Sequence, residues 1–360
     1  MRKHFRMVAA AAALGALLVP AAAQAASYDV YAGPPKPLSG VPQSADANHF
    51  FPSKLKVAKG DTVAFHFRGF HAIFAPKKGQ APPPFEIADP SGTKVSGAKD
   101  AAGNDFWFNG QTRVLINPLA AFPTGDGTHD GKSADGSGVP DGEKPKPYKL
   151  KFTKTGSFTY HCPIHPGMKG KVTVVKKAKK RDGSAKVKTR IAREVAKITK
   201  AIKKRADFRP SEANLMQAGN DTHDIAFFSF FPNRLEVKAG TTVTFRNSPV
   251  SGEPHTFSFG PLDYLKGITD TLIAPEGGGN GPPTLVFNPL AAFPSDTPGS
   301  AWSVTPSSHG NGFFSTGIVD SHAASPPPNQ TKVTFPNPGT YHLICLIHGD
   351  QMAADVVVTQ

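Results

Sequence analysis

Two cysteines in 360 residues leave no room for a disulfide-stapled scaffold. Acidic side chains are scarce, 27 against 41 Lys and Arg, yet the imbalance is local. Residues 176–210 hold 15 basic and 3 acidic groups, a net +12, whereas residues 211–360 hold 5 and 12, a net −7. A basic surface for nucleic acid is therefore not expected on the flanking parts of the chain. Long apolar runs are missing too: beyond the first segment nothing approaches the roughly 20 residues that a membrane helix needs. That first segment, "MRKHFRMVAAAAALGALLVPAAAQAAS", has a basic start, a short Ala/Leu stretch and a cleavage-like Ala23-Gln24-Ala25. It reads as a signal peptide over residues 1–26, cut near Ala25, so the mature chain is expected to be secreted or periplasmic.

Gly and Pro are plentiful, 35 of each, which suits short strands joined by many turns. The stretches "KLKVAKGDTVAFHF", "YKLKFTKTGSFTYHC", "NRLEVKAGTTVTFRN" and "TKVTFPNPGTYHLIC" alternate apolar and polar residues. They read as antiparallel strands with one buried face. Three echoes recur in the same order: "HFFPSKLKVAKGDTVAF" at 49–65 with "SFFPNRLEVKAGTTVTF" at 229–245, "NPLAAFP" at 117–123 and at 288–294, and the cysteine segments "YHCPIHPGMKG" and "YHLICLIHGDQM". Such order implies tandem duplication. Two all-β domains are expected, over 27–175 and 211–360, with 176–210 as a linker. Within the linker Val187, Ile191, Val195, Ile198 and Ile202 fall at helical spacing. This predicts a basic amphipathic helix, either a spacer resting its apolar stripe on a domain or an attachment to an anionic surface such as lipid headgroups or an acidic wall polymer.

The cysteines carry the chemistry. Cys162 ends a strand-like run and is followed by His165 and Met168; Cys345 is followed by His348 and Met352. A thiolate, an imidazole and a thioether form a soft ligand set that suits copper in a trigonal His2Cys arrangement with a weak axial Met. A second imidazole must come from elsewhere in each copy. His71 and His255 are the candidates, lying 91 and 90 residues before their cysteines. Other readings of the same residues are a disulfide, a Cys/His nucleophile and a structural zinc site. His161 and His342 precede the cysteines by one and three residues, so strand alternation turns them outward. His49, His66, His129, His223, His309 and His322 have no ligand-like spacing.

Both copies resemble cupredoxins, the family of plastocyanin, amicyanin and azurin. The Cys162-x-x-His165-x-x-Met168 spacing is similar to that of amicyanin, and "PHTF" at 254–257 resembles the first-histidine loop of plastocyanin-like proteins. The resemblance implies two Greek-key β-sandwiches joined by a basic helical linker. It also implies two type 1 copper ions, one on His71, Cys162, His165 and Met168 and one on His255, Cys345, His348 and Met352. One-electron transfer to a redox partner protein follows, with His165 or His348 near the surface as the exit and Ile164, Pro166, Leu346 and Ile347 as a docking patch. Enzymes such as copper nitrite reductases and two-domain multicopper oxidases are built from the same repeat, and His161 beside Cys162 is a feature they use. A copper carrier or store is a third possibility. The Cys345-x-x-His348-x-x-x-Met352 spacing departs from the family loop. The stretch between first His and Cys, which carries "NPLAAFP", is longer than such a domain requires; a loop over the copper end is the expectation.

Overall fold

The computed structural model describes residues 25–142, 144–250, 253–279, 281–322 and 327–360. Apart from Ala25 and Ala26, the expected leader lies outside these residues. The fold is all-β: two sandwiches of two sheets each, built from the alternating stretches. In the first, one sheet runs in the order Thr128–His129, Tyr148–Phe152, Thr62–Phe67, Ser27–Ala32, Phe50–Phe51. The facing sheet runs Lys54–Ala58, Lys169–Val175, Gly156–His161, Phe74–Ala75, Asp135–Ser137, Pro123–Thr124. Alternation sets the inner faces: Leu150 and Phe152 of one sheet meet Val172 and Val174 of the other in a common core, while Lys149, Lys151, Lys169 and Lys171 point outward. The second sandwich repeats this with Phe230–Phe231, Leu215–Ala218, Thr241–Asn247, Gln330–Phe335 and Trp302–Ser303 against Arg234–Lys238, Gly349–Thr359, Gly339–Cys345, Ser258–Phe259 and Phe314–Ser315.

The strands are not all antiparallel, as their patterning had suggested. Ser27–Ala32 runs parallel to Thr62–Phe67, and Lys54–Ala58 parallel to Lys169–Val175. Alternation reports which face is buried but not strand direction; here the Greek-key path takes the chain across to the other sheet before it returns beside the first strand.

The basic linker contains a 22-residue helix, Ser184–Arg205. Its stripe is laid on the protein: Val187 joins the first core, and Ile198 and Ile202 are buried with Ala47, Phe51, Ile225, Phe227 and Phe231, which come from both halves of the chain. The apolar face is thus occupied by the body of the molecule. At the same junction His49 Nδ1 lies 2.7 Å from Asp224 of the second half and its Nε2 3.8 Å from Glu194 of the helix.

The long stretches between first His and Cys do not form separate loops over each metal end. They form a third layer shared by both halves. Glu86–Ala88 and Val114–Ile116 join Thr284–Phe287 and Ile273–Glu276 in one four-stranded sheet. Over it lies a core containing Phe106, Phe108 and Ile116 from the first half and Leu265, Phe287, Phe313 and Leu346 from the second. Phe108 stacks on Phe293, and Trp107 Nε1 donates to the carbonyl of Pro294 at 2.8 Å. "NPLAAFP" is a one-turn helix in both places. Asn117 and Asn288 accept from the backbone N–H of Leu119 and Leu290 at 3.0 Å, and proline occupies the first turn.

In this layer Leu115, two residues before Asn117, pairs with Val286, two residues before Asn288. On the other side Asp46, three residues before His49, pairs with Ala226, three residues before Ser229. Both pairings set residues matched by the sequence echoes opposite one another, as across a local two-fold axis.

Two outcomes follow from the shared cores. Phe108→Ala should cost roughly 3–5 kcal/mol and lower the stability of the whole chain in one denaturation transition; two separate transitions would contradict the shared layer. The second concerns His49. Burial alone would lower its pKa, but Asp224 and Glu194 outweigh this and raise it to about 9. Lys197 and His223 also lie near Asp224 and, with His49, hold its carboxyl below the usual range. A raised folded-state pKa means that the stabilisation is complete below pH 6.5 and is lost as pH rises through about 9. With Asp224 half-exposed, it is on the order of 2 kcal/mol. Thermal unfolding between these limits should show a loss in the wild type that His49→Gln largely lacks.

Candidate metal centres

Each centre is assembled from a strand end and a returning loop. Gly156–His161 delivers Cys162 into the first core, where it is 2% exposed. The turn is closed by two backbone bonds, Met168 N–H to the carbonyl of His165 and Cys162 N–H to that of Met168, both 3.0 Å. Proline at 163 and 166 and the positive φ of Gly167, 100°, permit this tight return. His71 comes from the segment between Thr62–Phe67 and Phe74–Ala75. Its Nδ1 lies 3.0 Å from Nδ1 of His165, which is 3.4 Å from Sγ of Cys162. All three side chains are buried.

The second centre repeats the arrangement. Sγ of Cys345 lies 3.8 Å from Nδ1 of His255 and 3.3 Å from Nδ1 of His348. A register shift at Ile344/Cys345 sets Cys345 opposite Gly349, and the long strand Gly349–Thr359 absorbs the extra residue before Met352. Met168 is buried in the cluster that holds Cys162, and Met352 in the cluster that holds Cys345. In each triad the ligand atoms lie within 4.8 Å of one another.

Both thiols accept a backbone N–H from the residue after the first histidine: Ala72 at 3.5 Å and Thr256 at 3.4 Å. The next residue is tied as well. Ile73 N–H donates to Ser137 Oγ at 2.9 Å, and Phe257 N–H to Thr316 Oγ1 at 3.0 Å. Ser137 and Thr316 each precede a glycine of positive φ, Gly138 and Gly317. A Cβ at either would come within 2.6 Å of the backbone at the end of the "NPLAAFP" helix. That motif therefore props up the first-histidine segment, a link that spacing alone gave no means of seeing.

Burial dominates the electrostatics. It pushes Cys162 up to about 11, against the Ala72 N–H, and raises Cys345 as well. It lowers His71, takes His165 and His255 well below the usual imidazole value, and brings His348 down to about 4. Neutral imidazoles and a protonated thiol therefore converge away from solvent, and a bound cation would displace the thiol proton. A soft cation can accept all three lone pairs together, so the donor set fits copper.

His165 is buried rather than at the surface, and His348 keeps only 13% of its side chain exposed. They lie back to back across the junction of the halves, with Glu253 between: its carboxylate is 3.1 Å from Nε2 of His165 and 3.9 Å from Nε2 of His348. Asn48 donates to Glu253 Oε1 at 2.8 Å, and Asn247 donates to the carbonyl of Glu253 at 2.9 Å. Desolvation holds the Glu253 carboxyl well above the usual range, partly opposed by Asn48. Ile164 and Leu346, expected in an exposed patch, are buried, Leu346 inside the shared layer. The sequence argument treated each half alone and so missed Glu253 and Asn48. Four further histidines pair with acids: His129 with Asp135 at 2.9 Å, His66 with Asp29 at 2.7 Å, His342 with Asp355 at 2.9 Å, and His309 lies between Asp100 and Asp296. The two thiols belong to separate cores and both are free, so they form no disulfide with each other.

No family model and no curated protein matches the chain. Among solved structures, a reduced Cu(I) form of an amicyanin variant at pH 4 is similar at 18% identity and a TM-score of 0.21, covering 42% of this chain and 82% of that one. An oxidised amicyanin variant matches at 18% identity and a TM-score of 0.20, with 42% and 82% covered. A further reduced variant matches at 18% and 0.21, with 41% and 82% covered. Two β-sandwiches, each enclosing a His/Cys/His cluster, are what the motifs of the sequence imply.

Proposed function

We propose that the protein is an exported two-centre copper protein that carries one-electron traffic. The observation that carries this reading is the convergence, twice in one chain, of two imidazole Nδ1 atoms and one thiol within 4.8 Å, buried except for His348, each in a core that also holds a buried methionine. His71, Cys162, His165 and Met168 would hold one ion, and His255, Cys345, His348 and Met352 the other. Bound copper supplies a one-electron couple. The chain supplies the rest. Sandwich strands fix the donors, the apolar clusters exclude water, and the N–H groups of Ala72 and Thr256 donate to the thiolates, a hydrogen bond of the kind that tunes such centres. Among the described residues, no other group of three or more His, Cys, Asp or Glu side chains is placed to hold an ion, and no helix is long and apolar enough to cross a membrane. The export rests on the leader-like first segment.

Copper-loaded wild type should bind two ions per chain and show visible absorption and EPR signals of thiolate–copper. Cys162→Ser and Cys345→Ser should each remove one ion and one absorption. Unchanged spectra in either variant would refute the ligand assignment for that half.

A further inference from the structure

The halves match closely around their metals, but the junction between them does not. Glu253 stands two residues before His255; the residue in the same place before His71 is Gly69. Asn48 precedes the "HFFP" echo where Phe228 precedes its counterpart. The outer environments of the two facing histidines therefore differ. His165 Nε2 is within hydrogen-bonding distance of Glu253 Oε1, 3.1 Å, and that oxygen is itself held by Asn48. His348 Nε2 is 3.9 Å from Oε2, beyond a hydrogen bond, and the His348 ring packs at 4.6 Å on Phe228.

These environments pull in opposite directions. With Nδ1 turned to the metal, Nε2 carries the proton and donates, and an imidazole donating to a carboxyl oxygen becomes a more basic ligand. A more basic donor favours the oxidised, more highly charged ion. An apolar neighbour such as Phe228 favours the reduced centre, which carries less charge.

We propose, on the two-copper reading above, that Glu253 makes the centres unequal and gives the pair a direction. An electron passes from the centre of His71, Cys162 and His165 to that of His255, Cys345 and His348. One ion is oxidised by one electron and the other reduced by the same electron. No bond is made or broken and no proton moves. The external redox partner of the proposed function supplies and removes the electron. Glu253 acts here as a positioning residue, and the two ligand imidazoles facing its carboxylate form the junction across which the centres meet.

The single-centre proteins Cys345→Ser and Cys162→Ser, loaded with copper, report each site separately in redox titrations followed at the visible band. The first centre should have the lower potential. Glu253→Gln, which keeps shape and an acceptor oxygen, should raise it partway. Glu253→Leu should raise it further and weaken copper binding there by roughly 10–100-fold, with a smaller change at the second centre. If Glu253→Leu does not fold, Glu253→Gln decides the matter. A first centre with a potential equal to or above the second overturns the proposal, as does a folded Glu253 variant in which the gap is unchanged. Absence of a visible band in both single-centre proteins overturns the copper reading itself, and the direction with it.

Discussion

The structure depends on counterpart residues meeting each other. Leu115 faces Val286 and Asp46 faces Ala226, so the halves approach as the two subunits of a symmetric dimer would. This constraint decides where everything else lies. It commits the stretches between first His and Cys to a common layer, since each alone has an apolar face and an unpaired strand edge. It also places the returning loops of both thiols at the junction. His165 and most of His348 are therefore enclosed, facing each other across the junction rather than outward from each half.

Enclosure has an electrostatic consequence. Within each pocket burial disfavours charged imidazole and free thiolate alike, so the donors stand ready for a cation that neutralises the thiolate. The fixed N–H groups and the "NPLAAFP" props hold those donors in place with or without it. At the junction the same enclosure makes a single carboxyl group consequential. In water Glu253 would be one acid among 27 Asp and Glu; here it is 4% exposed and within 4 Å of both His165 and His348.

Much of this was legible in the sequence. Alternation gave the strands and their inner faces, and the soft donors at repeated spacing gave both triads, including His71 and His255 some ninety residues from their cysteines. The helix was visible in the helical spacing of Val187, Ile198 and Ile202 among lysines, though the spacing left open whether its stripe met a domain or an anionic surface. What stayed hidden depends on contacts between elements distant in the chain. Parallel pairing of Ser27–Ala32 with Thr62–Phe67 leaves no trace in a period of two. The purpose of "NPLAAFP" appears only once Gly138 and Gly317 are packed against it. Glu253 interrupts the repeat, so a search for matching residues passes over it, although its mismatch with Gly69 was the available signal.

The central claim is that two soft donor sets each close on one copper ion. X-ray absorption at the copper edge of the loaded, two-site protein tests it most directly. The account predicts that each ion has two imidazole nitrogens and one short thiolate sulfur. Copper bound by nitrogen and oxygen alone, or by two thiolates together, would contradict it.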